Sequence, residues 1–439
     1  MFPLFLILIF SFFVFYSIKV MIIRSHDLYA LSFLVLFMYT VFTQIAYVMF
    51  PELLDNLNVY YGSQLFYSYW TFMFFSFVFS FLIYIKYTPV YSNTYKYRVA
   101  KTKKNYGQYL FFLITLFFYL ILSFYFKLNR SNFGYSLGED SGVSQWFGIG
   151  FSLFTVCTLI LYTIFRNKYN RSSLRKFSLL IFIVCILFVF QVLVATGARS
   201  GILYFFIAIS FYELSPINYV LRYKKKKILI FTLIGFCLIN ILMMIYSIRG
   251  KSKDEINFNS IINYSEDTSK SDDVDLSEAI LLQDYLAPSY LLFMSMHHNV
   301  IDPVETIKSN LANSLVQIKY PLLSHTVTSK AGYRFTRSEG WGYHLFVEGY
   351  NAVGWLGIIY NAILWNLGMA LFYKFSRSNN REFNRVFLCI ITLYLIAIMR
   401  GGQSYSFIKT SWMFLLPSLA LLLSANNLKL VKFKKNRNV

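Results

Sequence analysis

Long apolar runs, separated by short polar segments, dominate the chain. They lie near residues 2–18, 28–50, 64–86, 107–126, 144–165, 178–196, 200–214, 228–247, 346–373, 386–399 and 406–424. Most contain about 17 to 25 residues, the length that an α-helix needs to cross a hydrocarbon core about 30 Å thick. The pattern predicts an all-α fold: a polytopic integral membrane protein with about eleven transmembrane helices.

Composition supports this class. Of the 439 residues, 57% are hydrophobic and 21% are aromatic, which is more apolar surface than a soluble core could bury. Cys157, Cys185, Cys237 and Cys389 all fall inside apolar runs, without the spacing of a zinc site or a disulfide framework. The first run lacks a basic start and a small-residue cleavage site, so it is predicted to be a retained span.

The net charge of +21 is distributed unevenly along the chain. About two thirds of the Lys and Arg residues lie in segments 86–104, 166–176, 221–227, 374–385 and 429–439, together with Lys19 and Arg24. By the positive-inside rule these segments face the cytoplasm, and so does the C-terminus. The basic loops are topology signals and contacts to anionic membrane lipids, and no nucleic-acid partner is expected.

One segment on the opposite side is much longer than the others. It divides the chain into residues 1–247 with eight helices, a large periplasmic loop over 248–345, and residues 346–439 with three helices and a basic tail. The first third of the loop is acidic and is predicted to be a solvated strip. From Ala279 the apolar spacing predicts an amphipathic helix on the outer membrane face, ended by a turn at Asp302–Pro303.

The sequence TGARSG places Arg199 between Gly197 and Gly201, in a tight turn between the sixth and seventh runs. A helix that starts there has its positive dipole end beside a guanidinium, which is unfavourable unless an anion is present. A phosphate-bearing ligand would supply that anion. The alternative is an interfacial arginine that snorkels to lipid headgroups.

Four more arginines are predicted on the same side. Arg400 is followed by two glycines in MRGGQ, Arg249 follows the eighth run, and Arg334 and Arg337 precede the ninth. Together with Arg199 they suit a diphosphate, which a guanidinium binds with two parallel hydrogen bonds. For each one alone, a lipid headgroup remains an equally good partner.

The ninth run opens with His344 and Glu348, which are four residues apart and so share one helical face. They are candidates for a general base and its partner, although Glu348 could also pair with a nearby arginine. Tyr350, Asn351, Trp341 and Trp355 add polar and aromatic surface to the same entrance. A P-loop, a nucleophile elbow and a dinucleotide fingerprint are absent from the sequence, and no metal or other cofactor is expected.

Two of these motifs carry a resemblance. TGARSG and the segment Glu348-Gly-Tyr-Asn-Ala-Val-Gly-Trp-Leu-Gly357, of the form E-x-Y-N-x-x-G-x-x-G, resemble the Wzy-type O-antigen polymerases, as do the Phe- and Tyr-rich composition and the large outer loop. The resemblance implies a multi-pass glycosyltransferase of the bacterial inner membrane whose active face is periplasmic. Such an enzyme polymerises oligosaccharide repeat units linked to undecaprenyl diphosphate for lipopolysaccharide.

The resemblance also implies roles for individual residues and partners. Arg199, and after it Arg400 and Arg337, would bind the lipid diphosphate, and a polysaccharide chain-length regulator would be a partner. An O-antigen ligase is the nearest alternative, with His325 or His344 in a histidine-bearing loop. A flippase or other transporter is less consistent with spans nearly free of charge at their centres, and a structural membrane subunit is the remaining alternative.

Overall fold

The computed structural model describes residues 8, 11–12, 82, 97–101, 106–128, 142–167, 172–195, 199–214, 229–230, 233–235, 237–238, 295, 299–315, 345–376, 381–401, 408–426 and 428–432. Almost all of them are helical. Four described helices are long and apolar enough to cross a membrane: Tyr106–Tyr125, Phe147–Arg166, Ser172–Leu193 and Ile408–Ala425. The all-α membrane class is therefore supported, while the count of eleven spans and the large outer loop remain predictions.

The described residues belong to two compact units. One contains α1 (Tyr106–Leu128), α2 (Gly142–Arg166), α3 (Ser172–Ala195) and α4 (Arg199–Leu214). The other contains α5 (Pro303–Leu315), α6 (Leu345–Val353), α7 (Gly357–Ser376) and α8 (Arg381–Gly401). The helix α9 (Leu416–Ala425) follows a π-helical turn at Ser411–Leu415, next to Pro417, whose missing N–H interrupts regular helical bonding.

In the first unit, α2 is the central helix and packs on α1, α3 and α4. Its buried face includes Phe154, Cys157 and Ile160, all without solvent exposure. On α1, by contrast, an apolar stripe that includes Leu113, Phe117 and Leu120 stays exposed. An apolar outer surface around a packed interior is the arrangement expected of helices whose solvent is lipid.

The predicted inner ends of α2 and α4 are joined by an ion pair. Both guanidinium nitrogens Nε and Nη2 of Arg166 donate to the carboxylate of Glu213, over 2.6 and 2.8 Å, and the Tyr162 hydroxyl donates to the same carboxylate over 2.9 Å. Glu213 is buried, whereas the Arg166 side chain is 42% exposed. The pair fixes the end of α4 that is farthest from Arg199.

Two short strands form a two-stranded sheet, the exception to the helical fold among the described residues. β1 (Tyr97–Lys101) pairs with β2 (Leu428–Lys432). Both strands come from basic segments that the charge pattern assigns to the cytoplasm. Because paired strands must lie on the same side of a membrane, the sheet agrees with a common side for these two segments, and the cytoplasmic identity of that side remains a prediction.

The chain differs from prediction at the ninth apolar run. Residues 346–373 were expected to form one span, but the run contains α6, a 3₁₀ turn at Gly354–Leu356, and α7. The break occurs at Gly354, whose φ of +62° lies in the left-handed region that favours glycine. Hydropathy does not detect such a break because both sides of it are apolar.

Asp302–Pro303, predicted as the turn that ends the preceding helix, also begins a helix that the sequence did not predict. These residues begin α5: the Asp302 carboxylate accepts a hydrogen bond from the Glu305 backbone N–H over 3.0 Å, and proline occupies the first helical position. An N-cap aspartate followed by proline is a common way to start a helix. Within the predicted amphipathic segment before this point, the described residue Ser295 is helical and fully buried.

Candidate functional site

The best-defined polar cluster lies where α5 packs on α6. The side-chain amide of Asn310 donates a 2.5 Å hydrogen bond to the Oε1 atom of Glu348. Glu348 is completely buried, with 0% exposure, and Thr306 and Ser309 are buried on the same side of α5. A buried carboxylate is tolerated only when hydrogen-bond donors stabilise it. Asn310 is therefore one of the groups that stabilise Glu348 in its buried position.

A second contact joins the start of α5 to the end of α6. The backbone N–H of Asp302 donates to the carbonyl oxygen of Asn351 over 2.8 Å, and the side chain of Asn351 is buried. The hydroxyl of Thr306 donates to the Asp302 carbonyl over 2.8 Å, which reinforces the first turn of α5. The two helices are therefore attached at two points, one through backbone atoms and one through side chains.

The glycines of the E-x-Y-N-x-x-G-x-x-G segment have a structural explanation. The backbones of Gly349 and Gly357 touch, so a Cβ atom on either glycine would overlap with the other. In a continuous helix these residues would be about 12 Å apart along the axis. The chain must therefore fold back sharply at Gly354, which packs α6 against the first turns of α7.

The polar character of this junction continues onto α7. The side chain of Asn361 is fully buried, and its Cγ lies 3.0 Å from the position that a Cβ on Gly349 would take. Among the described residues, neither amide atom of Asn361 has a hydrogen-bond partner. Asn366, one turn farther along α7, is also buried. Both amides therefore face the protein interior, as polar groups on a membrane-spanning helix are expected to do.

Aromatic side chains cover the turn between α6 and α7. The rings of Tyr350 and Trp355 meet edge to face, with centroids 6.3 Å apart. Tyr350 is buried, while almost half of Trp355 is exposed. The predicted lining residues Tyr350 and Asn351 thus lie together on α6, and both are buried.

The predicted arginines are described less completely. Arg199 is the first residue of α4, as the glycine-flanked motif predicts, and Arg400 is the penultimate residue of α8. Their side-chain positions are outside the described part of the chain, as are the residues Arg249, Arg334, Arg337, Trp341 and His344. Arg199 and Glu348 belong to different units, so each is described within its own unit.

The described residues include no group of three or more His, Cys, Asp or Glu side chains that could hold a metal ion. Arg166 and Glu213 form an ion pair at the predicted inner ends of α2 and α4. The chemistry available at the α5–α6–α7 junction is therefore that of one buried carboxylate, several amides and hydroxyls, and two aromatic rings.

Sequence reasoning missed Asn310 and the whole of α5. The segment PVETIKSNLANSL is too polar and too short to count as a span, so periodicity alone gave it no role. Its start signal, Asp302 followed by Pro303, was present but was assigned to a helix end. The polar positions Thr306, Ser309 and Asn310, spaced three and four residues apart, would have identified the face that packs on α6.

No family model matches the chain, and neither a curated protein nor a solved structure matches it.

Proposed function

We propose that the chain is an O-antigen polymerase: a glycosyltransferase that joins oligosaccharide repeat units linked to undecaprenyl diphosphate at the periplasmic face of the bacterial inner membrane. The observation that carries the proposal is that α4 begins at Arg199 itself. A guanidinium next to the positive end of a helix is unfavourable unless an anion is present, and a lipid diphosphate would supply that anion.

The length of α4 supports an anion at the outer headgroup level. Its 16 residues extend about 24 Å at roughly 1.5 Å per residue, less than the roughly 30 Å of a hydrocarbon core. Glu213, at the other end, is tied to Arg166 at the end of α2. With that end at the inner boundary, the start of α4 at Arg199 would lie near the outer headgroup level, which is where a lipid-borne diphosphate would lie.

The proposed reaction gives the other arginines a role in stabilising the leaving group. The anomeric carbon of the growing chain forms a bond to an acceptor hydroxyl, the bond from that carbon to the diphosphate oxygen breaks, and undecaprenyl diphosphate leaves. Five arginines would stabilise the negative charge that develops on the leaving diphosphate. They are Arg199 and Arg400, together with Arg337, Arg334 and Arg249 of the outer segment. Such stabilisation would lower the barrier without the need for a metal ion.

The acceptor hydroxyl must lose a proton to a general base. His344 and Glu348 are the two candidates from the sequence. We assign the role of general base to His344, because Glu348 is completely buried and already accepts a hydrogen bond from Asn310. Glu348 then has a supporting role: it fixes the helix that begins directly after His344.

The experiment that tests the proposal is a deletion of the gene in its own host, followed by complementation with the wild type, Arg199→Ala or Arg199→Lys. Lipopolysaccharide is separated on a gel, and the membrane level of each variant is measured by immunoblot. Arg175→Ala is the matched control, because Arg175 binds the Phe165 carbonyl at the opposite end of the same unit.

A polymerase predicts core plus a single repeat in the deletion strain, and a full ladder with the wild type and with Arg175→Ala. Arg199→Ala should accumulate in the membrane and yield only the single repeat, and Arg199→Lys should give a shortened ladder because lysine lacks the bidentate fork. Loss of every O-antigen band in the deletion strain, including the single repeat, would instead indicate a ligase or a flippase. A normal ladder with Arg199→Ala would contradict the role of Arg199.

A further inference from the structure

The helix α5 has its polar side inside and its apolar side outside. Val304 is 60% exposed, and Ile307 and Leu311 are each 58% exposed. The opposite face, which packs on α6, carries Thr306 and Ser309, both buried, and Asn310, which binds Glu348. The exposed apolar positions are spaced three and four residues apart, so they form one continuous stripe.

This arrangement is the reverse of that in a water-soluble protein. A helix on a soluble surface buries its apolar stripe and exposes its polar face, because burial of apolar surface drives folding in water. In lipid the preference inverts: polar and ionisable groups face the protein interior, and apolar side chains face the acyl chains. The two faces of α5 therefore indicate contact with the membrane, although the segment lies in the part of the sequence predicted to be a periplasmic loop.

The apolar stripe of α5 continues into exposed apolar surface of the ninth apolar run, which the sequence predicts to lie in the membrane. Ile301, just before α5, is exposed, and its Cδ1 atom lies 3.3 Å from the position of a Cβ on Gly354. Trp355 and Leu356 follow in the same turn and are exposed. On α7 the exposed positions again form one apolar stripe: Ile359, Tyr360, Ile363 and Leu367. A tryptophan between the two stripes is typical of the membrane interface.

Lys308 indicates how deeply α5 is inserted. It is exposed and lies next to Val304, at the edge of the apolar stripe that is opposite Ile307. A lysine in such a position extends its ammonium to the headgroups while its methylene chain covers apolar surface. Glu305 and Ala312, both half-buried, lie at one edge of the stripe. With 13 residues, α5 extends about 20 Å, too short to span the hydrocarbon core.

We propose that α5 is a membrane-binding helix that lies in the outer headgroup–acyl boundary, with Val304, Ile307 and Leu311 in the acyl chains and Lys308 on anionic headgroups. The occupant of its exposed face is the lipid bilayer. This inference is independent of the proposed function, because it rests on the two faces of α5 and holds for any reaction that the protein performs. It places the segment with Asn310, the partner of Glu348, at the membrane surface.

The test uses the full-length protein, with its four native cysteines replaced, in vesicles of phosphatidylethanolamine and phosphatidylglycerol. Single cysteines at positions 304, 305, 307, 308, 311 and 312 carry a nitroxide, and its collision rates with oxygen and with a water-soluble nickel chelate are measured. Positions 306, 309 and 310 are omitted because they face α6. A cysteine at Leu113, exposed in the middle of α1, is the acyl-chain reference.

The proposal predicts high oxygen and low nickel-chelate collision rates at 304, 307 and 311, approaching those at position 113. Positions 305 and 312 should show several-fold higher chelate collision rates, and position 308 should be intermediate. Equal or higher chelate collisions at 304, 307 and 311 would mean that this face meets water. Low collision rates with both reagents would mean that another protein surface covers it. Either result would overturn the proposal.

Discussion

The backbones of Gly349 and Gly357 are in direct contact, although eight residues separate them in the sequence. This contact makes α6 and α7 a tight helical pair and places Gly349 beside the α7 residue Asn361. The neighbouring residue Glu348 binds Asn310 of α5. The segment that carries the family resemblance is therefore a packing motif in its own right, and its glycines are explained by close approach of two helices.

Replacing either glycine by alanine should destabilise the protein. In Gly349→Ala or Gly357→Ala the new methyl group overlaps backbone atoms, which side-chain rotation cannot relieve. Overpacking of this kind costs about 1–3 kcal/mol, and more where the backbone must move. We expect a lower thermal unfolding midpoint in detergent and a lower level in the membrane. Gly148→Ala is the matched control, because a Cβ at Gly148 meets nothing within 4 Å; an equal loss in the control would contradict the explanation.

The hydrogen bond between Asn310 and Glu348 can be tested by exchanging the positions of its amide and its carboxylate. Asn310→Leu removes a donor from a buried carboxylate, which should cost about 1–3 kcal/mol of unfolding free energy. Asn310→Asp places two carboxylates together and should be more damaging at neutral pH. The double variant N310D/E348Q restores one carboxylate and one amide in reversed order.

We expect thermal unfolding to show that N310D/E348Q is more stable than N310D alone, by a coupling of about 1 kcal/mol or more. Independent, additive effects of the two substitutions would contradict a direct bond. The same variants separate the two roles considered for Glu348: a supporting role predicts that polysaccharide chain length recovers along with stability, whereas a proton-accepting role predicts recovery of stability alone.

The ion pair at the ends of α2 and α4 should stabilise the first unit by a modest amount. Glu213→Gln removes the charge from a carboxylate that accepts three hydrogen bonds, two of them from Arg166. Because Arg166 is 42% exposed, solvent reduces the loss to about 1–2 kcal/mol. Arg166→Lys keeps the charge but removes the bidentate geometry, so its thermal midpoint should fall between those of the wild type and Glu213→Gln. A midpoint for Glu213→Gln equal to the wild type would contradict this contribution.

The sequence predicted the features that depend on hydrophobicity and charge. The length of each apolar run, with the glycines and charges that flank it, predicted the start of α4 at Arg199 and the apolar helices around residues 107–126, 144–165 and 178–196. These signals are local, so they can be read without knowledge of packing.

The features that depend on contacts between distant residues were not predicted. The reversal at Gly354 is hidden because the residues on both sides are apolar, and only a positive φ distinguishes that glycine from the others. The pairing of Asn310 with Glu348 joins residues 38 positions apart, and no periodic pattern relates them. The burial of Glu348 accompanies that pairing. For this reason the sequence alone predicted Glu348 as an accessible acid that could serve as a general base.

The pairing of β1 with β2 leads to a prediction about orientation. The strands belong to segments 86–104 and 429–439, so both segments must lie on one side of the membrane, and their lysines and arginines assign that side to the cytoplasm. Alkaline phosphatase, which is active only outside the cytoplasm, should be inactive when inserted at 102–105 or fused after Val439. It should be active when inserted at 196–198, just before Arg199. A green fluorescent protein fusion at each position serves as the control and should give the opposite result. Phosphatase activity at only one of the first two positions would contradict the sheet, whereas activity at both would invert the orientation and move Arg199 to the cytoplasmic face.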